Sequence, residues 1–396
     1  MLMQFKIFLI IFITLIASPI MLHAKQLNRP QAKHFDKIMV ILFENMSYSE
    51  IKNEPTFKKL ITYTAYHLDD KGNLQIAKNG NLRDSLNNGY AFFSRYYNNH
   101  NGGILPTRPS QPNYIAMTSG STQGIINNEI HDLKVDNLAK ELIDAGISWK
   151  VYAEDLPDPT SAALHSQSPS YNTSGCFTAA AYPSDDGYKR KHEPFISYVN
   201  IQEDNQYCKN IVNSIHLNED LNKGMPDVSF YIPNQVNDGH NGSLSRRMAR
   251  ANAFLSKMMG TDAKTGEPLP DAERAPLQQF MSQGGLVVIT FDEPSTTGNL
   301  DLSMYMLLAG KMINSGAYPN HSGEKVPICY PAISEQIRYQ NDMYGTYARS
   351  RCNHYNLLKM IEANYGLRGL YSKHTSAGYK YAYALDNNVS ELWKRG

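Results

Sequence analysis

The feature that most constrains this chain is a pair of unbroken apolar runs, KIMVILF at residues 37–43 and GLVVITF at residues 285–291. Both runs contain several β-branched residues and lack the alternation of polar and apolar side chains that marks a half-exposed strand. This pattern is typical of strands covered on both faces, as in parallel sheets with helices on each side. The two runs therefore predict a buried, mostly parallel sheet.

Helical and strand patterns alternate along the rest of the chain. Segment 136–146 predicts a helix that has Asp136 at its capping position and ends at Gly146. Further strands are predicted at 147–155, 227–233 and 303–310, and further helices at 245–259 and 354–366. This order predicts an α/β fold, an α/β/α sandwich around a mostly parallel central sheet.

Two long stretches, at about 70–109 and 156–194, show no regular pattern and are rich in Gly, Asn, Ser and Tyr. Irregular loops of this length in a compact domain are usually functional or disordered. Their many tyrosines argue against disorder. The sequence leaves open whether these insertions line a substrate cleft or cover the edges of the sheet.

The first 24 residues have the pattern of a secretory signal peptide. Lys6 precedes an apolar core, and a small residue, Ala24, stands at the expected cleavage position. The alternative is an uncleaved membrane anchor, although the apolar core is shorter than the ~20 residues that span a bilayer. We predict cleavage after residue 24, a single catalytic domain over residues 25–396, and a secreted or periplasmic protein.

The charge balance of the mature chain argues against one class of partner. Removal of Lys6 with the signal peptide leaves 37 basic and 37 acidic residues. Proteins that bind nucleic acid usually carry a basic surface, so no nucleic-acid partner is predicted. No obligate protein partner is indicated either.

Four cysteines remain in an exported chain: Cys176, Cys208, Cys329 and Cys352. An even number in this compartment predicts two disulfides. Three pairings are possible, and the sequential one, Cys176–Cys208 with Cys329–Cys352, closes the shorter loops. The alternative, a metal cluster, lacks a Cys-x-x-Cys motif.

Acidic and amide side chains follow both apolar runs directly. Glu44 and Asn45 follow the first run, and Asp292 and Glu293 follow the second. Ligands of open parallel sheets bind beyond the carboxyl ends of the strands. If the two strands are neighbours, four oxygen ligands meet at one edge, where carboxylates repel each other unless a cation lies between them. The alternative is that each pair caps a helix or faces solvent.

Ser110 is the candidate nucleophile. It lies between Pro109 and Pro112 at the start of a predicted helix. A hydroxyl at a helix N-terminus lies beside free backbone N–H groups, an arrangement that suits a phosphate and an activated oxygen nucleophile. The alternative is a serine that only caps its helix.

Histidines offer the acid or base that ester hydrolysis needs near neutral pH. Asp238 and His240 lie on a glycine-containing loop after a predicted strand, His192 follows Lys191, and His354 begins the last predicted helix. Any one of them, taken alone, could equally be structural.

Six segments, in this order, give the chain its resemblance to a known family: ILFENMSYSEI, PSQPNYIAMTSGS, YKRKHEPF, PDVSFYIPNQVNDGH, VVITFDE and NHYNLLKMIEANYGL. Together they resemble the bacterial phosphoesterase family, which groups acid phosphatases with phospholipases C. The similarity extends from about Lys37 to Leu370. It implies an alkaline-phosphatase-like α/β/α fold with a metal at the carboxyl edge of the sheet.

The resemblance also implies roles for individual residues. Asp238 and His240 would act on the leaving group or the phosphate. The chain departs from many relatives at Arg108, where they carry histidine; its guanidinium could hold a phosphate oxygen or point away. The segment after Glu293 also differs, which removes support for an extra metal ligand there. The implied metal ligands are Glu44, Asn45, Ser110, Asp292 and Glu293, and the implied substrate contacts are Asn113, Arg108, Lys191, His192 and His354.

Two questions of identity stay open at this stage. An all-oxygen ligand set suits calcium, magnesium or manganese, whereas the resemblance favours zinc. The function predicted from the resemblance is a phospholipase C that cleaves phospholipids such as phosphatidylcholine to diacylglycerol and a phosphorylated head group, by way of a phosphoseryl intermediate and with transient contact to a membrane surface. The alternative is a broad-specificity acid phosphatase that acts on small phosphate monoesters.

Overall fold

The computed structural model describes most of the chain after the predicted signal segment. The described residues are 29–64, 66–69, 74–76, 83–93, 96–98, 107–158, 171–172, 174–295, 302–315, 318–319, 352–370, 379, 384–390 and 392–394. The predicted signal peptide and Cys329 lie outside them.

A seven-stranded sheet forms the centre of the fold. Its strands are β1 Lys37–Phe43, β2 Gly89–Phe92, β3 Trp149–Ala153, β4 Ile211–Asn213, β5 Val228–Ile232, β6 Gly285–Phe291 and β7 Met306–Gly310. In space they follow the order β2-β7-β6-β1-β5-β3-β4. The neighbours from β6 to β4 pair in parallel, whereas β7 is antiparallel to both β6 and β2. The predicted α/β fold with a mostly parallel sheet is confirmed.

The two apolar runs are adjacent central strands. β1 and β6 pair in register over their whole length, from Lys37 with Gly285 to Phe43 with Phe291. Every residue of β6 is buried, as is every residue of β1 after Lys37. The unbroken apolar pattern therefore reflects burial on both faces of the sheet.

Helices cover this sheet. The longer ones are α1 Pro55–Thr62, α2 Ser110–Ser119, α3 Leu138–Asp144, α4 Leu217–Lys223, α5 Leu244–Met259, α6 Pro276–Ser282 and α7 His354–Asn364. Single turns of helix span Tyr48–Ile51, Val199–Gln202 and Asn205–Cys208. Two-stranded pairs join Tyr66–Leu68 with Leu74–Ile76, Ala181–Tyr182 with Tyr188–Lys189, and Tyr318–Pro319 with Val389–Ser390. Helix α2 is buried at all ten positions, so the segment that begins with Ser110 runs through the interior.

Two local predictions are wrong. The helix predicted at 136–146 begins at Leu138, and its N-cap is Asn137 rather than Asp136, because the Asn137 side chain accepts a hydrogen bond from the backbone N–H of Lys140. The stretch at 70–109 is not irregular throughout, since Gly89–Phe92 forms the edge strand β2. Four residues rich in Gly and aromatics give too short a pattern to identify from sequence.

One predicted disulfide, Cys176–Cys208, is present and joins residues separated by 32 positions. Cys352 is also disulfide-bonded. None of the helices in the described part of the chain combines the length and the apolar character needed to cross a membrane.

Candidate active site

The two acid-containing pairs converge at the carboxyl edge of the sheet. Since Phe43 and Phe291 are register partners, the residues that follow them leave the sheet side by side. The backbone N–H of Asn45 donates to Oδ1 of Asp292 at 2.9 Å, and its side-chain amide donates to Glu293. Asn45 has a positive φ of 43°, a conformation that asparagine tolerates better than most residues. This turn brings all four predicted side chains into one cluster.

Ser110 faces the same cluster from the first turn of α2. Its Oγ donates to Oε2 of Glu44 at 2.9 Å and lies 3.5 Å from Oε1 of Glu293. Pro109 is the N-cap of the helix, so the serine hydroxyl stays free of a capping bond. The hydroxyl therefore lies among the carboxylates, at the positive end of a buried helix.

Two histidines approach Glu44 from the other side. One nitrogen each of His192 and His240 and one oxygen of Glu44 lie within 4.8 Å of one another, a spacing that could hold a metal ion. Nε2 of His192 is 3.2 Å from Oε1 of Glu44. Histidine metal ligands were absent from the predicted ligand set, although both residues were predicted to be in the site.

The hydrogen bonds of the two rings indicate their tautomers. The Gln235 amide lies 2.9 Å from Nδ1 of His192, which makes Nδ1 the acceptor and leaves the ring proton on Nε2, towards Glu44. Nδ1 of His240 lies 2.8 Å from Oδ1 of Asn241, so Nδ1 carries the proton there. Nε2 of His240 then presents its lone pair to the Lys191 ammonium group, 3.4 Å away.

Asp238 holds the histidine loop rather than facing a substrate. Its Oδ1 accepts from the backbone N–H of His240 at 2.7 Å, and its Oδ2 accepts from Gln235 at 3.0 Å. Gly239 between them has a φ of +85°, and a side chain there would meet the Met46 methyl group at 2.9 Å. Asp238 is therefore a positioning residue for His240.

Three predicted substrate contacts are occupied by other partners. His354 is fully buried; its Nε2 donates to the backbone carbonyl of Asp292 at 2.7 Å, and Tyr96 donates to its Nδ1 at 3.0 Å. Nη2 of Arg108 donates to the carbonyls of Pro294 and Ser295, whereas Nη1 lies 3.8 Å from Oε1 of Glu293 and has no hydrogen-bond partner among the described residues. The Asn113 amide donates to the Thr107 carbonyl at 3.0 Å and lies 3.5 Å from Glu293. These contacts favour positioning roles for His354 and Asn113, whereas the binding role of Arg108 stays a prediction.

The buried carboxyl groups have strongly shifted pKa values. Burial raises the pKa of Glu44 well above its usual range, and repulsion from Asp292 and Asp238 adds to the shift. Burial also raises the pKa of Asp292 to about 6, and burial together with Asp292 raises that of Glu293 to about 8. Shifts of this sign are expected when carboxylates crowd together in the interior.

The cluster fits a divalent metal ion. Oδ2 of Asp292 is buried and has no hydrogen-bond partner among the residues that the structure describes. Such an atom in a set of carboxylate, hydroxyl and imidazole donors is a suitable metal ligand. Ser110, Glu44 and Asp292 offer oxygens, and His240 offers a nitrogen that carries no proton in the tautomer described above.

Sequence reasoning missed three residues that organise the site. The Tyr114 hydroxyl donates to Oε1 of Glu44 at 2.6 Å. Gln235 joins His192 to Asp238, and Arg247 donates to the carbonyls of Asn45 and Gly239. Only Tyr114 had a sequence signal, since it lies four residues after Ser110 and so on the same helical face.

Comparisons with known proteins match the part of the chain that contains Ser110, His192 and His240. Residues 78–267 match the model of the phosphoesterase family. An acid phosphatase of Aspergillus fumigatus is 25% identical over 268 residues, which cover 67% of this chain and 47% of the relative. A phosphatidylinositol-3-phosphatase of Mycobacterium tuberculosis is 26% identical over 263 residues, which cover 66% of this chain and 64% of the relative. The match thus spans about half to two thirds of the length of these relatives.

Solved structures show only distant likeness. A protein of the alkaline phosphatase superfamily from Vibrio parahaemolyticus aligns with 86% of this chain and 69% of its own, at 10% identity and a TM-score of 0.38. A lipooligosaccharide phosphoethanolamine transferase of Neisseria meningitidis aligns with 90% of this chain and 60% of its own, at 11% identity and a TM-score of 0.38.

The family match and the relatives agree with the six ordered segments recognised in the sequence. Over residues 78–267, a little under half of its length, the chain is similar to the phosphoesterase family.

Proposed function

We propose that this protein is a metal-dependent phosphoester hydrolase in which Ser110 is the nucleophile. The observation that carries the proposal is the buried Ser110 hydroxyl, which donates to Glu44 at 2.9 Å at the start of a buried helix and amid the Asp292 and Glu293 carboxylates. A structural serine rarely requires several buried acids around it. The names of the relatives, acid phosphatase and phosphatidylinositol-3-phosphatase, support phosphoester hydrolysis.

The reaction follows from the contacts of the chain. Ser110 gives its proton to Glu44, and its oxygen attacks phosphorus while the bond from phosphorus to the ester oxygen breaks. The departing alkoxide takes a proton from the Lys191–His240 pair, whose nitrogens lie 3.4 Å apart. Water then attacks the phosphoseryl intermediate and gives a proton to the Lys191–His240 pair, while the bond from phosphorus to the Ser110 oxygen breaks and Glu44 returns its proton to that oxygen.

The metal would be held by Glu44, Asp292 and Ser110, with Asn45, Glu293 and the two histidines next to them. A divalent cation bound there would lower the pKa of the serine hydroxyl and neutralise charge on the phosphoryl oxygens. The three oxygen ligands alone would suit calcium, magnesium or manganese, but the imidazole groups of His192 and His240 close to Glu44 favour zinc.

Two substrate classes are supported by different observations. The relatives favour phosphate monoesters. Ile126 and Ile130 favour a phospholipase C that works at a lipid surface, because their side chains are 77% and 52% exposed and Ile130 lines the cavity beside the site. Exposed apolar residues next to a site are typical of contact with a membrane. An exported location, in keeping with the Cys176–Cys208 disulfide, suits both classes.

The deciding experiment gives the metal-loaded enzyme phosphatidylcholine vesicles and p-nitrophenyl phosphate in parallel, at acid and neutral pH. Diacylglycerol release supports the phospholipase C, and inorganic phosphate released from the monoester alone supports the acid phosphatase. No hydrolysis of either ester would contradict the proposal.

A further inference from the structure

A cavity of about 540 Å³, lined mainly by polar and charged residues, opens beside the candidate active site. It shares Lys191 and His240 with the site, and it is also lined by Gln111, the residue after the proposed nucleophile. A volume of this size is in the usual range for binding a small molecule. A phosphoester held at Ser110 would therefore have room to extend one substituent into this cavity.

Gln111 gives the cavity an unused hydrogen-bond acceptor. Its side chain is only 2% exposed, and its Oε1 has no hydrogen-bond partner among the described residues. The backbone N–H of Gln111 donates to Oδ1 of Asn128 at 3.0 Å, which joins the start of α2 to another residue of the cavity wall. A buried amide oxygen without a partner is costly unless a ligand or water donates to it.

Most of the charge in the cavity wall is already neutralised within the protein. Lys189 pairs with Asp185 at 2.8 Å, and Arg190 pairs with Asp132 at 2.9 Å. Two charged residues of the wall remain: Lys191, beside His240 and the reacting phosphate, and the exposed Glu129. The other polar groups of the wall are mainly amides, Asn128, Gln235 and Asn241. Amides both donate to and accept from hydroxyl groups, and they do not select for a second charge.

The wall lacks the features that other substituents need. None of the cavity-lining residues that the structure describes is Phe, Tyr or Trp. Quaternary ammonium groups such as choline are usually bound in aromatic cages. Acyl chains need an apolar wall, and here Ile130 is the only large apolar side chain among those lining residues.

We propose that this cavity is a specificity site for a hydroxylated substituent of the phosphoester, with Gln111 accepting a hydrogen bond from one of its hydroxyl groups. The substituent is either the alcohol of a soluble sugar-like monoester or the polyol head group of a phospholipid. The inference rests on the proposed function and adds a preference for polyols over choline and aryl groups.

The test compares matched substrates and variants by the ratio of their kcat/KM values. Glucose 6-phosphate is compared with p-nitrophenyl phosphate, and phosphatidylinositol vesicles are compared with phosphatidylcholine vesicles. Gln111→Leu removes the acceptor at nearly constant volume, and Ala180→Trp adds bulk from an exposed position on the cavity wall. Ala363→Trp adds the same bulk at an exposed position of α7 that does not line the cavity.

We expect the wild type to prefer the polyol in at least one pair. Gln111→Leu and Ala180→Trp should each lower that preference about 10-fold or more. A site that binds a hydroxyl group loses much of its kcat/KM for the polyol ester when the hydrogen-bond acceptor is removed or access to it is blocked. Ala363→Trp should leave the preference within about twofold. The pair that responds identifies the source of the polyol.

Three results would overturn the inference. The first is a wild type that hydrolyses esters without a polyol preference in either pair. The second is a polyol preference that both cavity variants leave unchanged. If Gln111→Leu fails to fold, the result for Ala180→Trp alone decides this point. The third is a metal-loaded wild type that hydrolyses none of the four esters, and this result alone also refutes the proposed function.

Discussion

The Tyr114 hydroxyl donates to Oε1 of Glu44 at 2.6 Å, and both side chains are buried. Tyr114 lies one helical turn after Ser110 on α2, so a single helix supplies both the proposed nucleophile and the group that orients the carboxylate beside it. Burial raises the pKa of Tyr114 well above its usual range, and the negative charge of Glu44 adds to the shift. The phenol therefore stays a hydrogen-bond donor throughout the working range of pH.

Tyr114→Phe should weaken metal binding and lower kcat/KM by about 10- to 100-fold, the usual effect of removing a group that orients a metal ligand. Metal titration and steady-state kinetics measure the two effects. Tyr305→Phe is the matched control, because its buried hydroxyl donates to the Phe57 carbonyl and not to any residue of the site. Equal kinetics for both variants would refute an orienting role of Tyr114.

Ser110→Ala should lower kcat by about 10³-fold or more while leaving the fold intact, since loss of a nucleophile usually costs several orders of magnitude. Phosphate release under saturating substrate measures the loss. Ser119→Ala, at the other end of the same buried helix, serves as control because its Oγ donates to the Ile115 carbonyl. Retention of more than about a tenth of the wild-type rate in Ser110→Ala would exclude Ser110 as nucleophile.

Removal of metal by chelation and dialysis should abolish most activity and lower Tm. The reason is that burial without a compensating cation raises the pKa values of Glu44, Asp292 and Glu293, and repulsion from Asp292 adds to the shifts of the two glutamates. A metal present at about 100 times its Kd should restore about 2.7 kcal/mol of stability. Metal analysis after dialysis, followed by re-addition of zinc, calcium, magnesium or manganese, identifies the ion. Full activity without stoichiometric metal would contradict the site model.

Glu141 provides a pH test away from the active site. Burial, with repulsion from Glu362, raises its pKa from 4.5 to about 8. The folded state therefore binds more protons than the unfolded state between these values, and the free energy of unfolding falls as pH rises through this window. Glu141→Gln should remove this dependence. The difference between the Tm of the variant and the Tm of the wild type should therefore increase in favour of the variant from pH 5 to pH 8. The same gain in the exposed control Glu273→Gln would refute the assignment to Glu141.

The Cys176–Cys208 disulfide should stabilise the fold without affecting the chemistry. Closing a loop with a sequence separation of 32 corresponds to about 3–4 kcal/mol in the chain-entropy model. The double variant Cys176→Ala/Cys208→Ala should lose about that much in urea denaturation and keep its kcat. A variant is preferable to a reductant, because Cys352 is disulfide-bonded as well. A decrease in the free energy of unfolding of less than about 1 kcal/mol would show that this disulfide contributes little to stability.

The sequence was most informative where burial leaves a continuous pattern. β1 and β6 occupy the predicted residues 37–43 and 285–291, because both faces of each strand are covered and the β-branched apolar runs reflect that burial. A helix beginning near Ser110 was also predictable, since Pro109 and Pro112 restrict the backbone on each side of it, although the predicted pattern begins at Asn113 and the helix three residues earlier. β2 could not be predicted, because its four residues become a strand only by pairing with β7.

Contacts between distant parts of the chain were beyond sequence reasoning. The Arg247 hydrogen bond to the Asn45 carbonyl joins residues 202 positions apart, and the contact between Gln235 and His192 joins residues 43 positions apart. No local pattern encodes such pairs. For the same reason the sequence predicted His354 as a pocket residue, although the structure places it behind Asp292, with both ring nitrogens hydrogen-bonded.

The pairing of Phe43 with Phe291 has a consequence for how this chain can vary. Side chains alternate between the faces of a sheet at every residue, so a shift of β1 by one position would turn Glu44 away from Asp292 as well as move it. A single-residue deletion in either strand would therefore separate the two halves of the site even if the sheet still formed. Changes in chain length are tolerable in the loops between strands, whereas the lengths of β1 and β6 must stay matched for the acids to meet.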